Sequence, residues 1–558
     1  MLGYLLVSKV DVEALKRTSQ GLRGTLPEEL ASPIDHFSEE AYQLLKFHGV
    51  YQQDDRDARK AARESGAGRA YSCMIRTRNP GGILPAAMYL AVDGLTEQYG
   101  NGTLRVTTRG ALQLHGVLKR DLREVIHQIN LHLGSTLSAC GDVNRNVIAT
   151  PYPLRRPDYD AARSAAFAIA DALTPRTRAY FEIWQDGELA HSSNSEPVED
   201  PLYGTAYLPR KFKIAVTVPG DNSVDLYTND IGVVALTGAD GTVEGYDLTV
   251  GGGLGMTHGK HATYPRLGSE FAFVPADRLL DVVRAIVIVQ RDHGDRTNRK
   301  HARLKYTIDD RGLDWFRAAV ETQAGFALEP WRPLPEWSIP SYRGWTAQGD
   351  GRWFLVLDIL SGRVADADGV RLKSALREVV AQTGHDLVAT PDQSLILADI
   401  DDAQRVRIDA IFAAHGVTNA AGTFERRALA CPALPTCGLA LAEAERFLPA
   451  LLDELRAAWI AAGLDDASVP TVRITGCPNS CARPTLAEIG IIGASLDRYY
   501  VYLGGNAAST RLNRPYREKV AGAEIAGLLA GLFREYAAHR QPGEGFGDFC
   551  LRAETVTA

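Results

Sequence analysis

Apolar and polar residues alternate over Tyr71 to Arg78 (YSCMIRTR), the two-residue period of a half-buried strand. Asn79-Pro80-Gly81-Gly82 breaks that pattern, and Leu84 to Tyr99 takes up the spacing of an amphipathic helix. A strand over Thr103 to Thr108, a turn at Arg109-Gly110, a strand over Ala111 to Val117 and a helix over Leu122 to Leu133 follow. Strand, helix, strand, strand and helix in that order predict a ferredoxin-like α+β unit.

The pattern returns in the second half. Trp353 to Leu360 reads as a strand, Val370 to Thr383 as a helix, Leu387 to Thr390 and Ser394 to Ala398 as a hairpin, and Ala403 to His415 as a helix. LRVTTRGALQLHG thus answers LVATPDQSLILAD, and GYDLTVGGGLG (Gly245 to Gly255) answers RYYVYLGGNAA (Arg498 to Ala508), each a strand running into a glycine turn. The loops CGDVNRNV and CPALPTC follow their respective units in the same order. We read this as an internal duplication that places a ligand between the halves. The copies have diverged: Arg105, Arg109 and Gln113 face Val388, Asp392 and Ile396, and only the second copy carries paired cysteines. One half supplies cations and the other thiolates.

Residues 1–70 are polar and irregular, with helix-like pieces such as Glu39 to Phe47. Asp54 to Arg69 is a charge-rich run, expected as a solvated helix or as an arm that grips a partner. The opening MLGYLLVSKVDVEALKR lacks a basic leader and a cleavage site, so no secretion signal is expected. No run of 18 apolar residues occurs. With seven cysteines not spread as a disulfide framework, the expected compartment is a reducing cytoplasm. The length of 558 residues allows several domains, and a net charge of −7 argues against a general nucleic-acid binder.

Against that negative total, cations gather at turns and strand ends: Arg76 and Arg78, Arg105 and Arg109, Arg145 in NRN, and Arg210, Lys211 and Lys213 in PRKFK. A further basic group spans Arg291 to Tyr306. A solvated charge explains any one of these, but not the set. Alternation in RKFKIAV puts Lys211 and Lys213 on one face, which is unfavourable unless an anion lies between them. The set suggests a pocket for a polycarboxylate cofactor and a small oxyanion, with arginine forks matching carboxylates and lysines acting as compact charges. There is no GxGxxG fingerprint and no Walker A motif, so electrons come from elsewhere.

Four cysteines lie in two Pro-containing loops, Cys431 with Cys437 and Cys477 with Cys481, flanked by Gly438 and Gly476. Two loops offering two thiolates each suit a four-sulfur metal centre. Structural zinc usually spaces ligands two to four residues apart, so the wider Cys431–Cys437 gap fits an iron–sulfur cluster better; zinc or unligated thiols are the alternatives.

At this point the residues resemble a family. TTRGALQLHG, DVNRNV, LTPRTRAY, EIW, AYLPRKFK, TVGGGL, QRDHGDRTNRK, LAEAERFLP, RITGCPNSC, LGGN and GEGFGDF are similar, in order, to the motifs of the sirohaem/4Fe–4S sulfite and nitrite reductases, and most similar to the assimilatory NADPH-dependent sulfite reductase branch. They run from about residue 71 to 548, and C-x5-C…C-x3-C is the most specific of them. The resemblance implies an α+β, three-domain architecture with a pseudo-two-fold repeat of ferredoxin-like and sirohaem-binding units. The corresponding division is an N-terminal arm or partner-contact segment (1–70), a first ferredoxin-like half-domain (71–138), a first sirohaem-binding domain (139–335), a second ferredoxin-like half-domain (336–420) and a cluster-binding domain (421–558).

It also implies roles. Cys431, Cys437, Cys477 and Cys481 ligate the cluster, and Cys481 bridges it to the sirohaem iron. Arg76, Arg145, Lys211 and Lys213 match the substrate-binding cations. Arg105, Thr107, Thr108, Arg109, Gln113, Arg210 and Asn479 match positions that hold the sirohaem, with His115 in the same motif. The implied reaction is the six-electron reduction of sulfite to sulfide in sulfur assimilation and cysteine biosynthesis. The donor is a separate protein, an NADPH-dependent flavoprotein or a ferredoxin, with neither nucleic acid nor membrane as a partner. Nitrite reduction to ammonia is the near alternative, and a non-catalytic iron–sulfur electron carrier or a zinc-stabilised scaffold the distant one. Asn79 departs from the family's usual apolar residue. Some relatives join a tyrosine to a cysteine near the site, which draws attention to Cys140 and Tyr71, although a free buried cysteine is the common case. Cys73 and Cys550 are expected to have no catalytic role.

Overall fold

The computed structural model describes residues 10–556, apart from 176–181, 186–187, 193–198, 261, 368 and 420. The opening apolar run, part of LTPRTRAY, and His261 therefore lie wholly or partly outside the described residues. Four five-stranded sheets carry the architecture, two small and two large.

The first small sheet runs Val50–Asp54, Tyr71–Arg76, Leu112–Val117, Leu104–Val106 and Arg363–Val364, all antiparallel. The second runs Trp345–Ala347, Trp353–Leu357, Leu395–Ile400, Leu387–Ala389 and Ile83–Leu84. Each sheet is thus closed by a two-residue strand from the other half. The exchange requires glycine at both crossings. A Cβ on Gly82 would stand 2.2 Å from the Ala389 carbonyl oxygen, and one on Gly362 would stand 2.2 Å from that of Val106.

The large sheets repeat one topology. Ile148–Ala149, Ile214–Thr217 and Ile231–Thr237 are parallel, and Val243–Val250 and Ser269–Pro275 complete the sheet antiparallel. Ala428–Ala430, Val472–Thr475, Ile489–Ser495, Arg498–Leu503 and Arg514–Ala521 do the same. The short parallel strands are buried, with the helix Pro157–Ala172 against one face of the first sheet and Leu226, Trp331 and Trp337 against the other. The helix Pro157–Ala172 shows how: Pro157 and two aspartates open it, and a face of small residues from Ala161 to Ala170 packs down.

Two details differ from the sequence reading. The N-terminal segment is not irregular throughout. Leu22, Leu26, Phe37, Leu44, Phe47 and Val50 are buried in the main core, and Val50–Asp54 is the edge strand of the first sheet. Its helices, Val12–Thr18, Leu26–Ala31 and Glu39–Leu45, are too short to show a period. In the charge-rich run, Arg59–Glu64 is helical, and Arg56 grips this chain's own second half. Its backbone N–H donates to Pro435 O (3.2 Å) and its guanidinium to Ala440 O (2.5 Å) and Cys437 O (3.3 Å).

The two loops paired by order are also not equivalent. CGDVNRNV precedes the strand Ile148–Ala149, whereas CPALPTC follows the matching strand Ala428–Ala430. The first half builds at the N-terminal ends of its parallel strands, the second at their C-terminal ends. A one-dimensional alignment cannot separate those ends.

Candidate active site

A cavity opens where three units meet. The first small unit contributes Thr108 and Arg109, the first large unit Lys211, Lys213 and Arg303, and the cysteine-bearing unit Asn479, Cys481 and Arg483. Residues up to 375 positions apart are fastened here. Thr108 Oγ1 donates to Cys481 O (2.9 Å), and Arg483 Nη1 donates to Thr108 O (3.0 Å). Met256 N–H, beyond the triple glycine, donates to Pro478 O (2.9 Å).

The two lysines are the electrostatic anomaly. They lie in the extended stretch just before the strand Ile214–Thr217, with Phe212 between them bridged to Asn144. Lys213 is held by its backbone, whose N–H donates to Asp230 Oδ2 (2.9 Å), and that carboxylate is already paired with Arg303 (2.8 Å). Among the described residues neither lysine amine has a hydrogen-bond acceptor or carboxylate partner. Burial first, then the neighbouring cations Arg109, Arg145, Arg210 and Arg303, push both amines well below the usual lysine range. Charges held like this are completed by an anion.

Arg109 donates to Asn229 Oδ1 (2.6 Å), Asn146 O (2.5 Å) and Ile214 O (3.0 Å), and burial lowers its pKa to about 9. Its Nε, like Arg76 Nε, His115 Nε2 and both amide atoms of Asn144, is buried with no partner. His115 Nδ1 faces Gln53 Oε1 at 3.3 Å, and burial depresses its ring pKa strongly. Of these, Arg109 Nε, Arg76 Nε and Asn144 Nδ2 are donors, and unmatched buried donors of this kind fit a cofactor bearing many carboxylates.

A second cluster lies deeper. Arg76 Nη1 is 2.8 Å from Cys140 Sγ, and Arg145 donates to Gly141 O (3.3 Å) while its charge reaches Tyr51, Lys211 and Lys213. The tyrosine beside Cys140 is Tyr51, not Tyr71, which stacks on His36 at 4.6 Å. Arg210 approaches Asp142 (3.9 Å), a carboxylate also held by Arg299 (2.6 Å) and Lys16 (3.7 Å). Thr107 Oγ1 accepts the Arg109 N–H (3.2 Å), and Gln113 is buried on the strand opposite Arg76 and Arg105. Arg105 does not line the cavity. Its guanidinium pairs with Glu445 and donates to Ala430 O (2.8 Å).

The four cysteines lie near enough to affect one another. Burial and then the neighbouring sulfurs raise Cys431 and Cys437 above the ordinary thiol range, and Cys477 to about 12. Four thiolates so placed need a cationic centre. Among the described residues no three His, Cys, Asp or Glu side chains gather tightly enough to hold a single metal ion. The Gly476 N–H donates to Cys431 Sγ (3.3 Å) and Asn479 Nδ2 to Cys477 Sγ (3.5 Å), contacts of the kind that support cluster thiolates.

Comparison with known proteins gives the family. Residues 67–132 match the nitrite/sulfite reductase ferredoxin-like half domain and residues 164–328 the nitrite and sulphite reductase 4Fe-4S domain. A sulfite reductase (ferredoxin) of Synechococcus elongatus is 48% identical, the alignment covering 97% of this chain and 89% of that protein. A sulfite reductase (NADPH) hemoprotein beta-component of Myxococcus xanthus is 46% identical over 98% of this chain and 97% of its own. This chain belongs to the sirohaem/4Fe–4S nitrite and sulfite reductase family. It is an oxidoreductase, and sirohaem and a 4Fe–4S cluster are its cofactors. The solved structure of the Mycobacterium tuberculosis NirA protein is also similar, with a TM-score of 0.79, 25% identity and coverage of 98% and 97%.

Within this family fold, the register explains the divided chemistry. The pairs Ile214–Ile231 and Val472–Ile489 are equivalent, which sets Asp230 against Glu488 and Lys213 against Thr471. Thr471 N–H donates to Glu488 Oε2 (2.9 Å) as Lys213 N–H does to Asp230. The second half thus kept the carboxylate and lost the lysine, and Gly547 of GEGFGDF caps the place by donating to Glu488 Oε1 (3.2 Å). Arg303 and Arg483 were not singled out from the sequence as site residues. The first lies in the noted basic group; the second follows CPNSC by two positions.

Proposed function

We propose that this chain reduces sulfite to sulfide with six electrons, as part of sulfur assimilation, and takes its electrons from a separate NADPH-dependent flavoprotein or a ferredoxin. Cys431, Cys437, Cys477 and Cys481 would hold the cluster, and Cys481 is the one of the four that reaches the cavity where the sirohaem would lie. Thr107, Thr108, Arg109, Gln113, Arg210 and Asn479 hold the sirohaem carboxylates and rim. When bound, the cofactor pair supplies an electron-rich iron for the substrate sulfur and stored electrons for its reduction.

The protein's own share is charge and protons. Lys211 and Lys213 bring two cations without partners to the cavity that Cys481 enters, and this observation carries the proposal. Arg76 and Arg145 extend the positive wall. Sulfite carries up to two negative charges and three oxygens, so it matches this set in charge and in number of contacts. Each departing oxygen leaves as water, and a lysine ammonium held below its usual pKa gives up its proton more readily than a free one. No helix among the described residues is long and apolar enough to cross a membrane.

The test is an absorption spectrum with iron and zinc counts, followed by turnover of sulfite and nitrite with a chemical reductant. Tetrapyrrole bands, about five irons per chain and faster turnover of sulfite are expected. A colourless zinc protein, or a clear preference for nitrite, overturns the proposal.

A further inference from the structure

Arg105, buried in the first sheet, sends its guanidinium across the halves. It is 1% exposed, pairs with Glu445 through Nη1, and donates through Nη2 to the carbonyl of Ala430, the residue before Cys431. Arg363 sits opposite Arg105 on the exchanged strand. It donates to the same carboxylate, through Nε to Oε1 (2.7 Å) and through Nη2 to Oε2 (3.0 Å), and through Nη1 to Thr103 Oγ1 (2.9 Å). One carboxylate therefore serves two guanidiniums, leaving one positive charge in excess. Arg105 and the Cys431 sulfur are close enough for their charges to interact.

A single buried Arg–Glu pair would be neutral and explicable as packing. The third member changes the electrostatics. Adding one electron to a cluster, with no bond formed or broken, makes it more negative, and a fixed positive charge in a poorly screened interior favours that state. Outer groups of this kind tune a metal centre without touching it. We propose that Arg105, Glu445 and Arg363 set the reduction potential of the cluster, by holding one uncompensated positive charge against Cys431 and pinning the carbonyl before it. They are positioning residues, and the inference rests on the assignment of Cys431 as a cluster ligand.

The test is a spectroelectrochemical titration of the holoenzyme, with iron and sulfide counts, for wild type, Glu445→Gln, Arg363→Gln and the double variant. The excess charge is +1, +2, 0 and +1 in that order, from the pairing of two arginines with one glutamate. The midpoint is expected to rise in Glu445→Gln, fall in Arg363→Gln and return towards wild type in the double variant, with the cluster complement unchanged. Intact clusters whose midpoints stay put, or move together, overturn the triad while leaving the functional reading standing. If Glu445→Gln cannot be loaded, Arg363→Gln decides alone, and a midpoint that does not fall overturns the triad. A wild-type enzyme without a cluster overturns both.

Discussion

Asp225 and Arg483 occupy equivalent points of the two halves and neutralise each other. Each takes a left-handed backbone conformation (φ 47° and 56°) ahead of a single tight turn, Leu226–Thr228 or Pro484–Leu486, that leads into an equivalent strand. Arg483 Nε donates to Asp225, which also accepts from Arg473 Nη1 (2.8 Å). The duplication has turned one position into an ion pair that joins its two copies beside the cavity.

Asp225→Asn therefore strands two buried guanidiniums. Removing one partner of a buried charge network costs about 3–5 kcal/mol, and chemical unfolding should register a loss of that size. Because Arg483 also holds Thr108, sirohaem retention should fall as well. A variant as stable as wild type would show that the pair is merely adjacent.

Lys213→Ala tests the anion wall. The side chain has no protein partner, so its loss should leave the spectrum and iron count intact. Turnover of sulfite should drop by roughly 10²–10³-fold, the usual cost of one preorganised donor. Undiminished turnover would remove Lys213 from the reaction.

Much of this was legible in the chain. Arg105 and Gln113 pair across one hairpin as Val388 and Ile396 do across the other, so the divergence of the two copies could be read directly. The cysteine loops announced themselves by composition. What could not be read has physical causes. The exchanged strands are two residues long, below any period. Asp225 and Arg473 are 248 positions apart, and an isolated aspartate and arginine carry no local sign of pairing. Which way the Arg105 guanidinium turns depends on Glu445, 340 residues on.

Asp142 predicts an acid limb of stability. Burial alone would raise its pKa, but Arg299, Lys16 and Arg210 outweigh that and hold it at about 2. A carboxylate depressed in the folded state stabilises fully above its unfolded pKa, near 4, and loses that contribution as pH falls through 2. The contribution is about 2 kcal/mol. Wild type should lose this much more than Asp142→Asn between pH 4 and 2, measured by unfolding at each pH. Parallel curves would contradict the depression.

The cysteines separate by role. Cys437→Ala should remove roughly four irons and leave the sirohaem iron. Cys73→Ala and Cys550→Ala should keep every iron, because no other cysteine thiol stands among the groups that perturb them. Iron and acid-labile sulfide counts on the three variants give the answer together. What sets Cys437 apart is the company of Cys431, Cys477 and Cys481, each of which shares a perturbation with it, whereas Cys73 and Cys550 have no such neighbour among the groups that perturb them. If Cys437→Ala kept its full complement, the four-thiolate assignment would fail, and with it the argument that Arg56 steadies the cluster loop through the Cys437 and Ala440 carbonyls.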